Sequence, residues 1–250
     1  TTGSYNTAVG DRALLYLATG SFATAVGQDA LRNSTSGLNT ALGYSAMYSN
    51  TSGDYNVGVG HTALGLNTTG TQNVAMGYQA GNANTTASYN TFLGTFSGSN
   101  NTTGANNTAV GNYALSLNTT GQRNTATGRA SLYSNTTGSY NTALGYDALS
   151  ANTTADNNTA LGYLALTANT TGAQNTALGA YAGDASTTAS QNTLVGYLSG
   201  SALTTGEDNT AIGAYSLPAD TAGCKSVAVG RFALYAQNFT STTDCFNTAV

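Results

Sequence analysis

Charge is nearly missing from this 250-residue chain, with 6 Lys and Arg against 10 Asp and Glu, 6% of residues in all. Ordinary soluble domains carry about 25%. So few cations leave no basic patch for nucleic acid and no polybasic run for a membrane surface, and neither partner is expected. Proline occurs once, at Pro218, and tryptophan not at all. No apolar run approaches the roughly 20 residues that a membrane-spanning helix needs. Solubility therefore rests on the hydroxyls and amides of Asn, Thr, Ser, Gln and Tyr. Low charge with much Asn, Thr and Gly is also a composition of disorder, but strictly placed apolar residues argue against it.

What is present is a period. Asn-Thr-Ala-Val closed by glycine returns at Gly10, Gly27, Gly43, Gly60, Gly77, Gly94, Gly111, Gly128, Gly145, Gly162, Gly179, Gly196, Gly213 and Gly230. Every gap is 17 residues except one of 16, between Gly27 and Gly43. A fixed short period means that each repeat is one supersecondary unit whose apolar side only its neighbours can cover. The first and last residues fall inside a repeat, so the chain reads as a piece of a longer array.

Positions are counted here from the glycine as zero. The four residues before it alternate as a strand does. Position minus one holds Val9, Val26, Leu42, Val59, Met76, Leu93, Val110, Leu144, Leu161, Leu178, Val195, Ile212 and Val229, with Thr127 the polar exception. Position minus three is Thr or Val throughout, as in Thr7, Val57, Val74 and Val227. These two positions share a face, and their β-branched and aliphatic character predicts the interior. The opposite face carries Asn at minus four and Ala at minus two (Ala8, Ala25, Ala41, Ala109, Ala143, Ala160), small enough for a second chain to pack against.

The second half of the unit, Ala-Leu-x-x-Asn, places Leu at plus four (Leu14, Leu31, Leu64, Leu115, Leu132, Leu149, Leu166, Leu217, Leu234) and ends in an Asn-Thr-Thr-Gly turn. Each repeat is then two short strands and two turns. The expected fold is all-β, a parallel β-solenoid of 17-residue coils running continuously over 1–250, with irregular coils over 224–250. At about 4.8 Å per coil, roughly fifteen coils make a rod of about 70 Å. Three or four aliphatic side chains per coil are few against the entropy of ordering it, which favours lateral association into a bundle.

A longer pattern overlies the short one. Leu at plus four becomes glycine at Gly81 and Gly98, and again at Gly183 and Gly200, 102 residues on. Between the members of each pair the minus-two Ala becomes large, as Phe92 and then Leu194. Volume removed on both sides and restored in the middle implies that minus two and plus four line one space.

Enzymatic constellations are missing, and neither cofactor nor metal is expected. His61 occupies a variable turn position; Asp156, Glu207 and Asp208 lack a carboxylate partner for acid–base work. Cys224 and Cys245 lie six residues before Gly230 and before the glycine expected at 251, so the insertion Phe239-Thr240-Ser241-Thr242 leaves them one coil apart in the same position. That predicts a Cys224–Cys245 disulfide in an oxidising exterior, with free thiols or a bridge between chains as alternatives. Tyr44, Tyr78, Tyr146, Tyr163 and Tyr197 follow the glycine, and Tyr5, Tyr55, Tyr89 and Tyr140 precede the Asn. Exposed there, they offer contact surface to a sugar or protein, or stack from coil to coil. Asn67, Asn118 and Asn169 open sequons that double as turns.

Ser226-Val227-Ala228-Val229-Gly230, Asn73-Val74-Ala75-Met76-Gly77 and Asn56-Val57-Gly58-Val59-Gly60 resemble the head repeat of YadA-type trimeric autotransporter adhesins. The fuller unit Asn141–Thr154 also resembles repeats that precede endosialidase-type intramolecular chaperone domains in phage tail fibres and bacterial surface proteins. The likeness covers essentially the whole chain, although the adhesin-head repeat is shorter than 17 residues. It implies a left-handed β-roll with its two aliphatics inward, a homotrimer, and an extracellular place on a cell surface or a virion tail fibre. The expected function is a structural and adhesive fibre segment that meets a host-cell receptor, glycan or matrix protein. An ice-binding or other ligand-binding solenoid with threonine ladders is the alternative, and a tailspike-type glycan hydrolase a more distant one.

Overall fold

The computed structural model describes residues 2–241 and 243–250. Thr1, and Thr242 of the insertion, lie outside them. The chain divides into two compact units, Thr1–Asn124 and Thr125–Val250. Each is a parallel β-solenoid, and no helix occurs among the described residues.

In the first unit, three-residue strands recur from Thr7–Val9 to Thr108–Val110 and pair parallel in strict register, Thr7 on Thr24, Ala8 on Ala25 and Val9 on Val26. In the second they recur from Thr125–Thr127 to Val227–Val229, with Thr248–Ala249 added at the end. The closing glycine fixes the stacking. Its φ lies between 121° and 143° in every coil, and from Gly10 to Gly94 and from Gly128 to Gly213 a Cβ there would run into the backbone of the next coil's glycine. No other residue combines that backbone with that approach.

Among the described residues the expected second strand, at Ala-Leu of each repeat, is absent. Its place is taken by successive turns in which plus two and plus four both lie in the left-handed region, as at Asp147 (φ 51°) and Leu149 (φ 51°). Strands require negative φ. Alternate amides still reach the neighbouring coil, as Leu149 N does to Ala165 O at 3.0 Å, so backbone pairing continues around the turn arm. A buried leucine held at positive φ costs on the order of 1–2 kcal/mol, and the packing it gains must offset this.

The interior lies on the face opposite to the expected one. Ala at minus two is inaccessible at Ala41, Ala109, Ala143 and Ala160, and Asn at minus four is buried beside it. The predicted core ladder points outward instead. Val9, Leu42, Met76, Leu144, Leu161, Leu178 and Ile212 are exposed, while Val26, Val59, Leu93, Val110, Val195 and Val229 are half-buried. Coil width gives the reason. Across from the strand stand Ala at plus three and Leu at plus four, both buried, and a plus-four Leu leaves room only for Ala opposite. Met47, longer than Leu, faces Gly58, where an added Cβ would lie 2.8 Å from Met47 Cγ. The minus-two alanine thus packs against its own coil rather than a second chain, and the expected inward aliphatic pair does not occur.

Buried asparagines complete the core because their amides are satisfied. At plus seven each side chain donates to its predecessor, Asn67 to Asn50 at 2.8 Å and Asn84 to Asn67 at 2.8 Å, and to the carbonyl three residues on. At minus four the oxygen accepts the next asparagine's backbone amide, Asn158 N to Asn141 Oδ1 at 2.9 Å, while Asn158 Nδ2 donates to Gly172 O at 2.8 Å. Desolvation that would expel a lone amide is offset by this pairing. The shared space between minus two and plus four is present as expected: Phe92 fills the gap left by Gly81 and Gly98, and Leu194 the one left by Gly183 and Gly200.

Candidate functional site

The outward strand face is the first candidate. Position minus three contributes Thr or Val and position minus one an aliphatic residue in nearly every coil. Leu144, Leu161 and Leu178 remain 43%, 37% and 42% exposed although they stack in register. Lateral neighbours within the sheet cover their flanks and leave their tips bare. Each unit carries such a row, with no charge in it. A line of aliphatics of this length is unusual on a free surface.

A second feature runs along the turn after the glycine. In the first unit Tyr44, His61, Tyr78, Phe96 and Tyr113 form a continuous stack with ring centroids 4.9–5.2 Å apart. In the second, Tyr146, Tyr163, Tyr181, Tyr197, Tyr215 and Phe232 follow at 5.3–6.1 Å. The five tyrosines expected at the surface are there, 41–48% exposed. Their partners at plus two were not anticipated. A ring at plus two reaches the same column as one at plus one, and counting both positions together would have revealed the stack. Some neighbours stack face to face, as Tyr44 does with His61, and others meet edge to face, as Tyr78 does with Phe96, so each ring packs against the next. Desolvation first, and then Tyr163, hold the Tyr181 hydroxyl above its ordinary value. His61 is exposed and sits between Tyr44 and Tyr78.

Threonines at plus eight do not form a free ladder. Their hydroxyls donate to the next coil, Thr68 to Thr85 O and Thr153 to Thr170 O, both at 3.0 Å. Asp156 accepts Ser139 N at 2.6 Å, while Glu207 and Asp208 are exposed. No group of three metal-ligating side chains occurs among the described residues.

Cys224 and Cys245 are not bridged. The short strand Gly223–Cys224 pairs with Thr243–Asp244, which sets Cys224 beside Asp244, one residue short of Cys245. The insertion shifts the register by one, and a one-residue shift turns a side chain to the other face. Cys224 is accordingly buried and Cys245 half-buried, linked through Cys245 N to Cys224 O at 3.0 Å. Lys225 and Asp244 form an ion pair at 2.7 Å, and that hydrogen bond raises the Lys225 ammonium above its ordinary value.

Compared with protein-family models, curated proteins and solved structures, the chain matches none.

Proposed function

We propose that this chain is a shaft segment of an extracellular fibre, on a cell surface or a phage tail, and that it works as a homotrimer. Three outward strand faces meet along the fibre axis, and the aromatic columns remain outside. The resemblance to trimeric adhesin heads and tail-fibre repeats supports the stoichiometry. The observation that carries the reading is the uncharged row of half-bare aliphatics repeated at nearly every coil.

Covering the exposed part of one such side chain contributes about 1 kcal/mol, and the sum over many coils competes with an association cost of about 4–15 kcal/mol. Because the face lacks charge, its assembly depends little on salt. Backbone ladders stiffen each unit, and its repeated side chains serve weak multivalent contact with a receptor, glycan or matrix protein. Tying up the plus-eight hydroxyls removes that one threonine ladder from the ice-binding alternative.

Light scattering on the intact chain tests the reading. The expected mass is three times that of one chain. A variant with Leu144, Leu161 and Leu178 all changed to Thr, the residue that stands naturally at Thr127, should shift toward monomer with its coil spectrum unchanged. A wild-type monomer at high concentration would remove the trimer.

A further inference from the structure

One side of the coil presents side chains that the fold does not use. From plus seven to minus four, burial repeats every third residue: Asn67, Gly70 and Asn73 face inward, while Thr69 and Gln72 are exposed. Two outward columns result, at plus nine and minus five. The second carries Tyr55 and Tyr89, 58% and 55% exposed. No other ring stacks on either tyrosine among the described residues, in contrast to the stacked column after the glycine.

Plus nine is threonine in every coil from Thr69 to Thr205, whereas minus six beside it drifts through Asp54, Thr71, Ser88 and Ala105. Plus eight has a structural reason for constancy, since its hydroxyl donates to the next coil, as Thr85 Oγ1 does to Thr102 O at 3.0 Å. Plus nine has no such reason. Thr69, Thr86 and Thr103 are exposed, and their hydroxyls make no hydrogen bond among the described residues. In-register strands set these hydroxyls one coil apart and Tyr55 and Tyr89 two coils apart. Neither column carries a charge between Tyr55 and Asn106, and Asp54 beside Tyr55 opposes an anion.

We infer that this side of the first unit binds a linear, neutral polysaccharide of β-1,4-linked pyranoses, laid across successive coils with one sugar per coil. The rise of one sugar in such an extended chain is close to the coil spacing of about 4.8 Å. Successive sugars are flipped, so the same ring face returns at every second coil. Tyr55 and Tyr89 stand at that interval and pack against it, while Gln72 serves the flipped sugar between them. The plus-nine hydroxyls bond the sugar hydroxyls along one edge. An α-linked chain curls away from a straight column, and the protruding rings do not suit the flat lattice of ice. Each contact is weak, and affinity accumulates with length. Resting on the glycan contact proposed above, the assigned surface needs no trimer: binding is read per chain, so its loss and a monomeric mass are separate results.

Titration calorimetry of the intact chain tests it, with cellohexaose and chitohexaose as β-1,4 probes, cellobiose as the short probe and maltohexaose as the α-linked one. The better-bound β-1,4 hexasaccharide should exceed cellobiose and maltohexaose by at least about tenfold. Added salt should leave its affinity unchanged. Tyr55→Gln with Tyr89→Gln repeats the residue that Gln72 already places at this positive φ (56°), so the melting curve should not move. The pair should weaken hexasaccharide binding about tenfold or more. Thr69→Val with Thr86→Val removes two hydroxyls and should weaken it about threefold or more. Failure of both β-1,4 hexasaccharides to bind, maltohexaose binding equally well, or binding indifferent to the tyrosine pair would each overturn the assignment. So would thermal hysteresis in place of sugar binding.

Discussion

The same packing problem is solved twice, 102 residues apart, and the solutions differ. Around Gly81 and Gly98 a single ring, Phe92, fills the space, and the asparagine ladder passes unbroken through Asn67, Asn84, Asn101 and Asn118. Around Gly183 and Gly200 the smaller Leu194 stands in for the ring, and the asparagine equivalent to Asn101 has become Leu203. An added Cβ at Gly200 would meet both leucines, at 2.7 Å and 3.0 Å, so two side chains share the volume that one occupies in the first unit. The asparagine equivalent to Asn84 is also replaced, by Ser186, and the ladder is broken at both positions. Asn169 Oδ1 and Ser186 Oγ are buried without a hydrogen bond, and Asp184, equivalent to Asn82, has an unsatisfied oxygen. Volume and hydrogen bonding are therefore coupled across the coil, and filling a gap from the ladder side removes a donor.

The largest effect should come from emptying the two sites. Phe92→Ala leaves a void flanked by two glycines and should cost about 3–5 kcal/mol in denaturant unfolding. Leu194→Ala should cost about 1 kcal/mol less, because Leu203, which stands where the first site has Asn101, borders that gap and relaxes into it. Equal costs would undo the claim that the second site is filled by two side chains.

Converting one solution into the other should come next. Leu194→Phe alone overfills the second site by about 1–3 kcal/mol. Leu203→Asn alone opens a gap, although the new amide can donate to Ser186 Oγ as Asn50 Nδ2 does to Ser34 Oγ at 3.2 Å. Made together they should offset each other, with a coupling of at least about 1 kcal/mol in a double-mutant cycle. Strict additivity would show that the two positions do not share a space.

The smallest effect concerns Asp184, whose carboxyl is held above its ordinary range by burial, with its own amide and that of Ala185 opposing. A raised folded-state value means that the charged form is disfavoured. The carboxyl's stabilising share is thus present below the unfolded pKa and lost as pH rises through the folded one. Asp184→Asn should raise the melting midpoint at about pH 7 and leave it unchanged at about pH 3. A gain that persists at the lower pH would point to a cause other than titration.

Much of this was legible in the sequence. The glycine period fixed coil length and stacking, and the Gly81–Phe92–Gly98 exchange revealed a shared interior before any coordinates. Which face turns inward was not legible. Thr with Leu on one side and Asn with Ala on the other give two half-apolar faces, and hydropathy selects the former. The choice is made by width, which admits Ala but not Leu opposite a plus-four Leu, and by amide pairing between coils, which makes a buried Asn tolerable. Neither quantity exists within a single repeat. The aromatic columns were half visible, since rings at plus one and plus two merge only once the turn geometry is known.

The central claim is that alanine and asparagine face inward and the aliphatic row faces outward. A pair of lysine substitutions at adjacent positions of one strand, Ala160 and Leu161, tests it most directly by circular dichroism with thermal melting. Leu161→Lys should keep the folded spectrum and a cooperative transition, and Ala160→Lys, which places an unpaired charge inside the coil, should lose both. A folded Ala160→Lys beside an unfolded Leu161→Lys would contradict the account.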